Sequence, residues 1–260
     1  IQAAAAEGNK MKVILDTDIG DDIDDAWALA LLITHERFDP LGVTVGYGNT
    51  PARAKIACKL LHDTGQTHIP VAVGRKTSDH RSHQYTWAED FEGFQPIRLP
   101  APEFLINAVK KYPKQVTVVA VGPIPNLADA IKMGPAFEEN VKEVILMSGC
   151  VYGRAGRPNE PVPEWNVRAD IESAKVVYGS DVKLTIVPLD STTHVRLKHE
   201  ERERVRDHRS PLTWSLECLL RLWTSGPSSR MTLHDQLAIA DAAEPGRFFH
   251  KKVGKDGKFD

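Results

Sequence analysis

Six aspartates fall within ten positions near the start of the chain: Asp16, Asp18, Asp21, Asp22, Asp24 and Asp25, in "ILDTDIGDDIDDAWALALL" (14–32). Like charges at such spacing repel, and Asp is a poor residue inside either helix or strand. Three environments offset that repulsion: a helix N-terminus, a bound cation, or water around an exposed loop. Asp16 and Asp18, two residues apart at the end of a β-type run, can point the same way into one crevice. Asp24 and Asp25 open a helix, where carboxylates gain from the macrodipole. Capping explains one or two acids and leaves the rest over. Several carboxylate oxygens meeting at one point are what a hard divalent cation, calcium or magnesium, requires. The EF-hand spacing does not match, because Asp21 stands where its glycine belongs and Trp27 where its closing Glu belongs. Zinc lacks its usual clustered His or Cys ligands.

The elements that must position these acids are legible as short β-branched runs. They are "KVIL" (12–15), "GVTVG" (42–46), "IPVAVG" (69–74), "VTVVAVG" (116–122), "EVILM" (143–147) and "VKLTIVPLD" (182–190). Helical patterns lie between most of them, as in 52–65, 103–112 and 170–179. Apolar strands alternating with helices predict an α/β fold: a mainly parallel, doubly wound open sheet with helices on both faces. Polar residues follow several strand ends: Asp16 and Asp18, Gly48-Asn49, Gly122-Pro123, Ser148-Gly149 and Asp190. Ligands of open parallel sheets bind outside the carboxyl ends of the strands, so the aspartates stand where a site belongs. Two loop-rich stretches, 75–100 and 150–166, are long enough to carry function. The mixed-sign run at 196–209 reads as a solvated helix.

The 260 residues suit one domain spanning 11–260 after a flexible tail at 1–10. With 33 basic against 35 acidic side chains, neither nucleic acid nor an anionic membrane is the expected partner. No apolar stretch reaches the roughly 18–20 residues of a membrane span. Cys58, Cys150 and Cys218 are odd in number and far apart, which fits free thiols rather than a disulfide framework. "IQAAAAEGNK" has no apolar h-region and is not an intact signal peptide. It reads as the mature end left after cleavage, which favours a periplasmic or secreted protein over a cytoplasmic one.

"DTDIGDDIDDAWAL" resembles the D-x-D-x-G-x-D-D-x-x-A-L signature of the inosine–uridine preferring nucleoside hydrolases (nucleoside N-ribohydrolases). Further segments resemble the family's motifs in order: "GVTVGYGNT", "VAVGPIPNLADAI", "VKEVILMSGCV", "PEWNVRADIESAKVVY" and "LHDQLAIADAAEP". The resemblance runs from about Val13 to Pro245. It implies a nucleoside-hydrolase-like, Rossmann-like core and a calcium ion that binds ribose hydroxyls and an attacking water. Carried over, Asp18 is ligand and general base, Asp235 a late ligand, and Val121 a ligand through its carbonyl. Asn49, Glu164 and Asn166 match ribose-binding positions, and His234 the histidine near the leaving base. The turn "GDDIDD" is two residues longer than the family's G-x-D-D. Aligned from the helix, Asp24 contacts ribose and Asp25 binds the metal; aligned from Gly20, Asp22 takes that place. Asp25 is favoured because the helix pattern continues without a gap, with Asp22 in reserve. The family's loop histidine has no counterpart, since "HQYTWAEDFEGF" stands in that region. The family also continues about one strand pair and a helix further, so a trimmed fold or a fragment is expected.

The expected chemistry is calcium-dependent hydrolysis of the N-glycosidic bond of a ribonucleoside, giving ribose and free base, as part of purine or pyrimidine salvage. Such cleavage passes through an oxocarbenium-like sugar. Asp18 takes the proton of water, and His234 and Trp87 are candidates to protonate or stack on the departing base. The expected assembly is a homo-oligomer, dimer or tetramer. Two alternatives stand beside this reading. A haloacid dehalogenase-type, magnesium-dependent phosphatase also begins with a strand and D-x-D, and would use Asp16 as nucleophile. A non-catalytic ribose- or calcium-binding protein on the same scaffold is the other.

Overall fold

The β-branched runs form strands β1 (Met11–Thr17), β2 (Phe38–Val45), β3 (Val71–Val73), β4 (Val116–Ala120) and β5 (Glu143–Met147). A small hairpin of β6 (Gly153–Arg154) and β7 (Arg157–Pro158) precedes the last strand, β8 (Leu184–Val187). The structure, a computed structural model, describes residues 10–223 and 231–248. The tail expected before Lys10 and the C-terminal "HKKVGKDGKFD" lie outside the described residues.

Six strands pair in parallel in the order β3-β2-β1-β4-β5-β8. The helices between them are α1 (Asp24–Thr34), α2 (Thr50–Asp63), α3 (Ala101–Lys111), α4 (Pro125–Lys132) and α5 (Ala136–Asn140). Then come α6 (Trp165–Ala169), α7 (Ile171–Tyr178), α8 (Leu189–Thr192), α9 (His199–Asp207), α10 (Pro211–Trp223) and α11 (His234–Ala243).

Period-two alternation explains why both faces are covered. Val13 and Leu15 of β1 enter one core with Leu29 of α1, Leu60 of α2, Leu219 of α10 and Ile239 of α11. Ile14, between them, enters the other with Leu105 of α3, Leu127 of α4, Phe137 of α5 and Val177 of α7. A fully buried Leu or Ile contributes about 1.5–3 kcal/mol, so these two layers supply the fold's main driving force. The doubly wound sheet predicted from the alternation of strands and helices is therefore present. No helix among the described residues is long and apolar enough to cross a membrane. Helix α9 buries none of its residues, in keeping with its mixed-sign sequence.

From β1 the chain steps outward to β2 and β3, then returns past β1 to β4. The strand order reverses there, and the carboxyl ends of β1 and β4 frame the crevice where such sheets bind ligands. The two loop-rich stretches are pinned rather than free. In the first, a 3₁₀ turn at His83–Trp87 buries Gln84 and Tyr85. In the second, the Asp190 carboxylate accepts the N–H groups of Val151 (2.8 Å), Tyr152 (2.5 Å) and Gly153 (3.0 Å). Burial raises the pKa of Asp190, but these backbone donors outweigh it and hold the carboxyl below its usual range. Asp190→Ala leaves the hairpin without its acceptor and is expected to destabilise the protein by about 1–3 kcal/mol. Faster hydrogen exchange confined to the amides of 151–153 is the expected mark, and unchanged exchange there would contradict it.

Candidate active site

Asp16, next to last in β1, is 1% exposed. Asn126 Nδ2 donates to its Oδ1 at 3.2 Å, and its Oδ2 has no partner among the described residues. Burial pushes this carboxyl up to about 8, so it is neutral over most of the physiological range. Asp18 lies just past the strand, with its carboxylate against the backbone of Gly122 at the exit of β4. A Cβ on residue 122 would collide with that carboxylate, so glycine is required there. Burial raises Asp18 to about 6, while the nearby Arg53 guanidinium opposes the rise.

Beyond the turn, Asp24 and Asp25 occupy the first turn of α1, and Asp235 the first turn of α11, which packs on α1. All three are buried, and one carboxylate oxygen from each lies within 4.8 Å of the others. Burial first, and then the neighbouring carboxylates, raise all three well above the usual range. Thr17 Oγ1 donates to Asp25 at 2.5 Å, and the short side chains allow little retreat. Asp24 thus stands with Asp25 and Asp235. Asp22 stays exposed, its Oδ1 accepting the N–H of Ile23 at 2.7 Å. The donor set is all oxygen and buried, and suits a hard cation rather than zinc.

The other expected residues have parts of their hydrogen-bonding capacity in use. Asn49 caps α2, its Oδ1 accepting from Ala52 at 3.3 Å while its Nδ2 donates to the Asp79 carbonyl at 3.1 Å. Glu164 caps α6, accepting from Asn166 (2.7 Å), Val167 (3.1 Å) and Gly149 (3.1 Å). Asn166 Nδ2 donates to the Val121 carbonyl at 2.9 Å and to the Met147 carbonyl at 3.0 Å. One lone pair of Val121 is thus engaged and the other is left over. His234 opens α11, its Nδ1 2.7 Å from the Thr192 hydroxyl, and burial lowers its pKa. Thr192 was not singled out from the sequence; it closes α8, two residues after Asp190, the acid that marks the end of β8. Trp87 ends the 3₁₀ turn whose Gln84 donates to the carbonyls of Asp21 and Asp22. Its ring lies under Lys59 Nζ of α2 at 4.7 Å.

The family model for inosine-uridine preferring nucleoside hydrolases matches residues 13–258. A probable uridine nucleosidase 2 of Arabidopsis thaliana is 31% identical over 94% of this chain and 80% of that relative. A pyrimidine-specific ribonucleoside hydrolase RihA of Shewanella woodyi is 30% identical over 91% of this chain and 80% of its own. Among solved structures, a plant nucleoside hydrolase superposes with a TM-score of 0.80 at 26% identity, over 96% of this chain and 85% of that one. A purine-preferring ribonucleoside hydrolase from Gardnerella vaginalis shares the fold, with a TM-score of 0.76 at 24% identity over 93% of this chain and 82% of that one.

The raised carboxyls set a pH dependence. Unfolded aspartates ionise near 3.8, whereas Asp18 keeps its proton to about 6 and Asp16 to about 8. Between those values the folded protein holds protons that the unfolded chain has lost, so raising the pH favours unfolding. In chelator, the thermal midpoint is expected to fall as pH rises from about 4 to about 8, the window those shifts define. Adding a divalent cation should raise the midpoint most at the alkaline end. A midpoint that climbs across the window in chelator would contradict this account.

Proposed function

The chain belongs to the inosine-uridine preferring nucleoside hydrolase family, and we propose that its acid-lined crevice hydrolyses ribonucleosides to ribose and free base with calcium bound. The observation that carries this reading is the buried convergence of Asp24, Asp25 and Asp235 at the point where the strand order reverses. Asp25 and Asp235, with Asp18 and the Val121 carbonyl, would hold the ion. When bound, calcium supplies a charged anchor for the ribose diol and makes a water easier to deprotonate.

The rest falls to the chain's own side chains. Asp18, held against Gly122, takes the proton from the attacking water at a carboxylate oxygen. Asp24, Asn49, Glu164 and Asn166 bind the ribose hydroxyls. Anionic neighbours favour the positive charge that develops on the sugar. His234 serves the departing base. In the tautomer where the Thr192 hydroxyl donates to Nδ1, the ring carries its proton on Nε2, where it can be donated to a base nitrogen. Among the relatives named above, those at 30% identity or more are named for uridine or pyrimidine nucleosides, which makes uridine the first substrate to assay.

Asp18→Asn is expected to lower turnover of uridine by about 100-fold or more, as loss of a general base does, with the thermal midpoint in chelator unchanged or raised. Equal turnover in the variant would exclude the role. His234→Ala is expected to depress hydrolysis of natural nucleosides and spare p-nitrophenyl riboside, whose leaving group needs no proton. Thr192→Val should share that selectivity in weaker form, and Thr192→Ser should restore the natural reaction. Uniform losses on both substrates would mean that neither residue handles the base.

A further inference from the structure

The acidic turn is anchored by a side chain that the chemistry above does not use. Arg53, in the first turn of α2, is 6% exposed. Its Nε donates to the Tyr47 carbonyl at 2.8 Å. Nη1 donates to the Asp18 carbonyl and, at 3.1 Å, to that of Ile19. Nη2 donates to the Asp21 carboxylate at 2.6 Å and stands 3.9 Å from the carboxylate of Asp18. One guanidinium therefore joins the turn after β1, which carries Asp18, to the turn after β2, which carries Asn49.

Both turns need such a hold. Gly20 has φ +125°, Gly48 φ +69°, and Tyr47, which is not glycine, φ +58°. A left-handed conformation at a residue with a Cβ costs roughly 1–2 kcal/mol, so other contacts must fix it. Two glutamines reinforce the hold. Gln84 Nε2 donates to the carbonyls of Asp22 (2.8 Å) and Asp21 (3.3 Å), and Gln236 Nε2 to that of Asp24 (2.6 Å). Of these three anchors only Arg53 brings positive charge.

We propose that Arg53 is a positioning residue of this active site, fixing Asp18 for the cation and for its water through the backbone of the turn. The proposal rests on the nucleoside-hydrolase reading. The planar fork is essential, because a lysine offers three donors from one point and cannot reach Tyr47 and the turn together.

The test compares wild type, Arg53→Lys, Arg53→Gln and Asp21→Asn as full chains. Calcium binding is read by titration calorimetry, turnover with uridine, and the thermal midpoint in chelator. Arg53→Lys is expected to weaken calcium binding by about 10–100-fold, the range for residues that orient metal ligands, and to lower kcat with KM little changed. Asp21→Asn should change little, because that side chain is 48% exposed and all the backbone bonds survive. A lysine variant with wild-type calcium affinity and turnover would overturn the proposal. So would a lowered midpoint with calcium affinity intact, which marks a merely structural role. Should Arg53→Gln fail to fold, the lysine variant decides. A wild type that binds calcium but cleaves no ribonucleoside overturns the functional reading alone, and calorimetry still judges Arg53. A wild type that binds no calcium overturns both.

Discussion

Three carboxylates buried within 4.8 Å of one another cannot all carry charge without a counter-ion. At an effective dielectric of about 20, each charged pair at that distance costs roughly 3–4 kcal/mol. Several such terms rival the whole stability of a domain, about 5–15 kcal/mol. The protein therefore has two ways to exist: with the acids partly protonated, or with a cation among them. Arg53 offsets the problem at one end, where it faces Asp18 and Asp21. It makes no ion pair with Asp24 or Asp235 among the described residues, and that end is where the cation is needed.

The fold is what makes the repulsion usable. A parallel sheet sends β1 and β4 out side by side and then turns their connections apart, which leaves a crevice lined by strand ends. Asp18 fits into it because Gly122 has no side chain to oppose it. α1 and α11 pack together, so their first turns bring Asp24, Asp25 and Asp235 into one place from positions more than two hundred apart in sequence. N-terminal helix turns favour negative charge, and this offsets part of the cost of placing acids there. The same device recurs at Asn49 and Glu164, each of which caps a helix. Capping and ligand binding are compatible, because a carboxylate or amide has more than one bonding direction.

Much of this was legible in the sequence. Strands apolar on both faces, alternating with helical patterns, leave few architectures open, and six acids in ten positions are more than helix capping explains. What the pattern could not rank was which acids converge. Asp22 and Asp25 look alike in sequence, but Asp25 falls in the first turn of α1 and is buried, while Asp22 falls in the turn before the helix and is exposed. Trp87 marks another limit: its contacts with Lys59 of α2 and with the core beside it are not written in the loop that carries it. Arg53 did leave a trace: it is a charge among Ala52, Ala54, Ile56 and Ala57, on the apolar side of an amphipathic helix. A charged residue at such a position has to find partners, and its partners are carbonyls of turns distant in sequence. Hydrogen bonds from side chain to distant backbone have no periodicity, so Gln84 and Gln236 gave no comparable signal.

The central claim is that the buried acids converge on a cation. A crystal structure grown with calcium, with anomalous data to identify the ion, tests it most directly. The account predicts one ion about 2.3–2.6 Å from oxygens of Asp25 and Asp235, with Asp18 and the Val121 carbonyl completing the protein ligands. An empty crevice in saturating calcium, with Asp24, Asp25 and Asp235 hydrogen-bonded to one another as neutral acids, would contradict it.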